Sequence, residues 1–136
     1  MKLKEKIKHI KSELQKKSGV LFAYVHGSVL DSEEPRDIDI AVFFDPKIYK
    51  EFSDRGTVNI ELLIPFEIEL ERLFGGRIDL QALNSAPLSF QYRVVTQGEL
   101  LFDKSENIRC NFEYLSRVKY FDFQPRREEY LKEIVA

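Results

Sequence analysis

Three acidic residues and a glycine-serine pair are the residues of this chain whose types and spacing could do chemistry. Eight residues separate His26-Gly27-Ser28 from Asp37-Ile38-Asp39, and Asp79 follows later within Arg77-Ile78-Asp79-Leu80-Gln81. Side chains alternate along a strand, so Asp37 and Asp39 would share one face about 7 Å apart. That places both carboxylates within reach of a single hard cation such as Mg²⁺. Without a cation, two like charges held together off water are costly. Gly27 sits where a backbone lacking a side chain can approach a phosphate and where neighbouring amides form an anion-binding concavity, and Ser28 can add a hydroxyl donor. Asp79 shares a polar face with Arg77 and Gln81. It becomes a third carboxylate of the same cleft if its strand lies beside the one carrying Asp37 and Asp39.

The elements that must position these groups read as a small α/β (α+β) unit with helices against one mixed sheet. Leu3, Ile7, Ile10 and Leu14 have helical spacing, with Ser18-Gly19 as a stop. Val20 to Val25 is an apolar, β-branched run that suits a central strand buried on both faces. Asp37 to Phe44 is its expected hairpin partner. Asp45-Pro46 supplies a cap and a first-turn proline, which predicts a short helix. Thr57 to Phe74 predicts a helix that Pro65 kinks or divides and Gly75-Gly76 ends. Arg77 to Leu83 alternates as a third strand. Pro87 opens a helix to about Thr96, Glu99 to Phe102 is a short edge strand, and Ser105 to Val135 is helical with Pro125 breaking the pattern.

Composition narrows the function classes. The chain has 136 residues, 43% of them hydrophobic and 32% charged, which predicts one compact domain over 1–136 with a C-terminal helical extension. Its net charge of −2 supplies no case for binding a polyanion, so direct nucleic-acid binding is not expected, although the lysines of the first helix make a local basic face. One cysteine, Cys110, excludes an internal disulfide; with two histidines besides, a zinc cluster is not expected and a cytoplasmic location fits. No segment reads as a signal peptide or membrane span. There is no Gly-x-Ser-x-Gly elbow, so a serine hydrolase is not supported.

The Gly27-Ser28, spacer, Asp37-x-Asp39 pattern with a later strand aspartate resembles the nucleotidyltransferase superfamily that includes DNA polymerase beta. The short chain is similar to its minimal nucleotidyltransferase (MNT) branch, with the motifs covering about Val20 to Leu83. Leu83-Asn84-Ser85-Ala86-Pro87, Gly98 to Phe102 and Tyr120-Phe121-Asp122-Phe123 extend the likeness to antitoxin-type members that pair with HEPN-domain toxins. The resemblance implies a nucleotidyltransferase-like fold in which Gly27 and Ser28 hold a nucleotide triphosphate. It also implies that Asp37 and Asp39, with Asp79 as the third acid and metal ligand, bind two Mg²⁺ ions, and that Asp79 orients or deprotonates the attacking hydroxyl. The implied reaction moves AMP from ATP to a hydroxyl, a tyrosine, of a cognate HEPN ribonuclease toxin.

Blander readings compete with this one. Asp79 could simply pair with Arg77 or Arg36, and His26 at a strand end reads as a hydrogen-bonded structural residue outside the catalytic set. The aromatics Tyr114, Tyr120, Phe121 and Phe123 read as core, or as a partner surface if exposed together. Two other functions remain in view. One is an antitoxin that neutralises its toxin by binding alone, suggested by the shortened connection between Ser28 and Asp37. The other is transfer to a small molecule of aminoglycoside type, for which the stretch after Asp103 reads as short.

Overall fold

The computed structural model describes residues 2–30, 37–49 and 60–135, with backbone alone at Ser28, Ile60, Glu61, Leu62 and Val135. In chain order the elements are α1 (Leu3–Gln15), β1 (Val20–His26), β2 (Asp37–Phe44), α2 (Ile60–Phe74), β3 (Arg77–Ala82), α3 (Leu88–Gln97), β4 (Glu99–Asp103) and α4 (Glu106–Val135). The strands form one sheet in the order β3-β2-β1-β4. β1 runs antiparallel to β2 and β4, whereas β2 and β3 are parallel, a pairing that needs the crossover supplied by α2.

The alternation along β2 sorts the two faces of the sheet. Ile38, Ile40, Val42 and Phe44 point to one side, where they join Ile10 and Leu14 of α1 and Leu63 and Leu70 of α2 in the larger core. On the other side the same strand reads Asp37, Asp39, Ala41, Phe43. Ala41 lies with Phe22, Tyr24, Leu83, Val94 and Val95 in a second core, packed by Phe43, Phe90 and Phe112 under α3 and α4. Phe22 stacks on Phe43 with centroids 4.7 Å apart, fixing the apolar half of this face. The helices thus cover the Ala41–Phe43 end and leave the acidic end open.

A polar network ties α4 to the sheet on the side it covers. The Tyr24 hydroxyl donates to Glu113, and Arg109 donates to Glu113 Oε1 at 3.1 Å and to Asp103 Oδ2 at 2.5 Å. Burial and the bond to Glu113 push the Tyr24 hydroxyl well above the usual phenol range, so it stays a neutral donor. Each member has a partner, the condition under which a part-buried ionic cluster is tolerated.

The short helix expected after Asp45-Pro46 falls largely outside the described residues; within them the Asp45 carboxylate accepts from the Lys47 N–H at 2.9 Å and the Asp45 carbonyl from the Tyr49 N–H at 2.8 Å. Two expectations about local structure are corrected. Pro65 does not divide α2, and Pro125 does not break α4. A proline removes one helical hydrogen bond. Both prolines lie on exposed faces, where water can solvate the freed carbonyl. The expected start at Thr57 falls outside the described residues. Among those residues, no helix is long and apolar enough to cross a membrane.

Candidate active site

The site is a row across three strands. Register places His26 of β1 opposite Asp39 of β2, and Asp39 beside Asp79 of β3. Asp37 sits one alternation along β2 on the same face, opposite Arg77. The three acids singled out from the sequence are therefore brought together on one face of one sheet, at the end that α3 and α4 leave open.

The position of Asp79 depends on α2. β3 is an edge strand, and the outward N–H groups of Ile78 and Leu80 donate to Glu71 Oε1 at 3.0 Å and Glu67 Oε1 at 2.8 Å. Glutamates one helical turn apart match N–H groups two residues apart on the strand. This satisfies the edge and clamps β3 on either side of Asp79. Glu67 and Glu71 were not singled out from the sequence; their i, i+4 spacing is the only trace they leave there.

Gly27 closes the row. It begins a 3₁₀ turn, Gly27–Leu30, with φ at +78°, and a Cβ built on it would lie 2.4 Å from Asp39 Oδ2. Only glycine satisfies both the backbone and that approach. Ser28 follows it in the turn, and its side chain lies outside the described residues.

Burial pushes the Asp39 carboxyl above its usual range, and the neighbouring Asp79 and Asp37 push the same way while His26 opposes them. Among the described residues, Asp37 Oδ1 is buried without a hydrogen-bond partner. Buried polar oxygens are ordinarily paired, so this one marks a place where a further donor or a cation belongs. Oxygen donors of this kind fit a hard divalent ion such as Mg²⁺. As the side chains stand, no three His, Cys, Asp or Glu groups among the described residues come together as a set that could hold a metal ion. Asp79, exposed on its strand, instead accepts a hydrogen bond from Gln81 Nε2 at 2.8 Å.

Beside the row lies a cavity of about 300 Å³ lined by His26, Gly27, Asp39, Gln81, Phe90, Arg93 and Gln97. Phe90, Arg93 and Gln97 are its α3 wall, at the i, i+3, i+7 spacing that could have signalled a shared helix face. The sequence does not single these three out; His26, read there as a hydrogen-bonded residue at a strand end, bonds Gln81 and also lines the cavity. The Arg93 guanidinium lies 5.5 Å from the Phe90 ring centroid. Among the described residues, Arg93 has no carboxylate partner.

No curated protein matches the chain. Among solved structures, a chain of the crystal structure of the toxin-antitoxin MntA-HepT is similar at 22% identity and a TM-score of 0.72, covering 98% of this chain and 99% of that one. A chain of a toxin-antitoxin structure with AMP-PNP gives 22% and 0.73 over 95% and 98%. A chain of the tri-AMPylated HEPN toxin in complex with MNT antitoxin, from Shewanella oneidensis, gives 21% and 0.69 over 96% and 99%. At these identities the likeness establishes the fold. The family model for polymerase beta nucleotidyltransferases matches residues 8–107, the segment that carries the glycine turn, the paired aspartates and the third-strand aspartate, and the chain belongs to that family.

Proposed function

We propose that this chain is an MNT-type antitoxin that transfers AMP from ATP to a tyrosine hydroxyl of a HEPN-domain toxin. The observation that carries the reading is the row of Asp39 and Asp79 with Asp37 adjacent, beside a glycine turn and an open cavity. The S. oneidensis neighbour, a tri-AMPylated HEPN toxin with its MNT antitoxin, and the AMP-PNP complex support it by likeness of fold.

The roles follow from what each group offers. Gly27 and the amides of its turn, with Ser28, would receive the triphosphate. Asp37 and Asp39 would hold Mg²⁺, which when bound neutralises the triphosphate and the departing charge. Asp79 would orient the acceptor hydroxyl and take its proton as the new bond to the α-phosphorus forms and the bond to the β-phosphate oxygen breaks, releasing pyrophosphate. Positioning and charge neutralisation supply most of the catalysis in such transfers, so no covalent enzyme intermediate is needed. Arg93 would meet an anionic part of the substrate from the α3 wall. Arg93→Ala is expected to raise the KM for ATP about tenfold, the worth of one charge-assisted hydrogen bond; steady-state kinetics across ATP concentrations checks it.

The test is incubation of the purified chain with α-labelled ATP, Mg²⁺ and the cognate HEPN protein: label should appear on the toxin, and its absence sinks the reading. A second reading, neutralisation by binding alone, is favoured by one observation. Helix α4 exposes Tyr114 and Phe121 on one side and Phe123, Tyr130 and Ile134 on the opposite side, each 45% or more accessible, and exposed apolar groups of this kind are found at partner contacts. An Asp37→Asn/Asp39→Asn double variant separates the two. Full neutralisation of the toxin at equal expression supports binding, and failure within an intact complex supports catalysis.

A further inference from the structure

We propose that Gln81 is a positioning residue for Asp79 and that His26 holds Gln81 in place; the inference rests on the transferase reading above. Gln81 lies one alternation beyond Asp79 on β3, opposite Ala41 of β2, and Ala41 in turn faces Tyr24 of β1. With only a methyl group at Ala41, the Gln81 side chain has room to pass over β2 and reach β1. There its Oε1 lies 2.9 Å from His26 Nε2, while its own Nε2 lies 2.8 Å from Asp79 Oδ2.

The direction of this chain follows from its ends. The Gln81 amide nitrogen, which only donates, faces Asp79, and its carbonyl oxygen faces His26. A carbonyl oxygen only accepts, so His26 carries its proton on Nε2. The relay reads His26 Nε2–H to Gln81 Oε1, then Gln81 Nε2–H to Asp79 Oδ2. Its anchor is rigid: His26 is 8% exposed and packs edge-on against Phe90 with ring centroids 5.4 Å apart. Its other end is an exposed carboxylate on an edge strand, which also meets the Asp39 carboxyl. Holding Oδ2 fixes the plane of the carboxyl group that a hydroxyl or a cation would meet. Partners of this kind, one bond removed from the reacting groups, typically matter 10- to 100-fold.

Four variants and one spectrum test it. Gln81→Leu removes both bonds and is expected to lower kcat about 10- to 100-fold, a larger change than any in the KM for ATP, because the lost bonds act on Asp79. Gln81→Glu keeps the size and the acceptor for His26 but loses the donor to Asp79, so it should not recover activity. His26→Ala should fall like Gln81→Leu, and His26→Gln, which retains a side-chain N–H, should recover most of the loss. In the protein without nucleotide, the Gln81 side-chain amide protons should exchange slowly by NMR and lose that protection in His26→Ala. Solvent-like exchange in the wild type overturns the relay whether or not any transfer is detected. If the wild type transfers AMP and Gln81→Leu keeps full kcat, the relay fails and the transferase reading stands. A wild type that transfers nothing removes that reading, and the exchange measurement still decides whether the relay exists.

Discussion

Asp39→Asn is expected to lower AMP transfer by about a thousandfold or more, the loss typical when charge stabilisation at a reacting phosphate or carbonyl is removed, while leaving the protein at least as heat-stable as the wild type. The two effects have one cause. Asp39 is held between Asp37 and Asp79, and burial together with those neighbours raises its carboxyl pKa in the folded state. A raised folded pKa means that protonation favours the fold: this contribution is fully present below the ordinary aspartate range and is lost as pH rises through the raised value. At neutral pH the ionised side chain works against folding, so an uncharged isostere relieves repulsion. Thermal melts at pH 4 and pH 7.5 should therefore show a smaller difference for Asp39→Asn than for the wild type. A further consequence is that millimolar Mg²⁺ should raise the wild-type Tm and leave the variant nearly unmoved. A variant clearly less stable than the wild type at pH 7.5 would show that the carboxylate is a structural group and not a strained ligand.

Gly27→Ala is the second large effect. The backbone at Gly27 has φ +78°, which costs an L-residue about 1–2 kcal/mol, and the added methyl would meet Asp39 Oδ2 at 2.4 Å. Asp39 must then turn away or the turn must shift, and either change separates the carboxylate from the turn amides proposed to receive the triphosphate. Transfer should fall at least a hundredfold, since misplacement by about 1 Å costs that much, with a Tm lower by about 3–10 °C. Gly75 and Gly76 provide the control within the same chain. They also have positive φ, 71° and 77°, but nothing lies within 4 Å of a Cβ at either position. Gly75→Ala and Gly76→Ala should share the backbone cost and keep full activity. Equal activity losses at all three glycines would mean that strain alone, not the approach to Asp39, explains the Gly27 result.

The sequence and the fold divide the information about this protein along a physical line. Local pattern was enough for the elements: the β-branched run at Val20 to Val25, the alternation from Asp37 to Phe44 and the apolar stripe of α1 each follow from side-chain periodicity. It also placed Asp37 and Asp39 on one face, because a period of two leaves no other choice within a strand. Local pattern reads Pro65 as a kink or a division and Pro125 as a break, whereas α2 is undivided and α4 continuous, with both prolines facing solvent.

What tertiary structure decided is everything that crosses from one strand to another. Whether Asp79 joins Asp39 depends on the parallel register of β2 and β3, and a slip of one residue would turn Asp79 to the opposite face. The outer edge of β3 is held by two glutamates on α2, whose role is invisible until the helix lies along the strand edge. The placing of His26, Gln81 and the Phe90-Arg93-Gln97 wall around the acids is likewise a product of long-range packing. Residue types and their spacing determine which groups are available for chemistry and which side of their own element they occupy. Only the pairing of distant strands, set by the burial of two separate apolar faces, determines which of those groups meet.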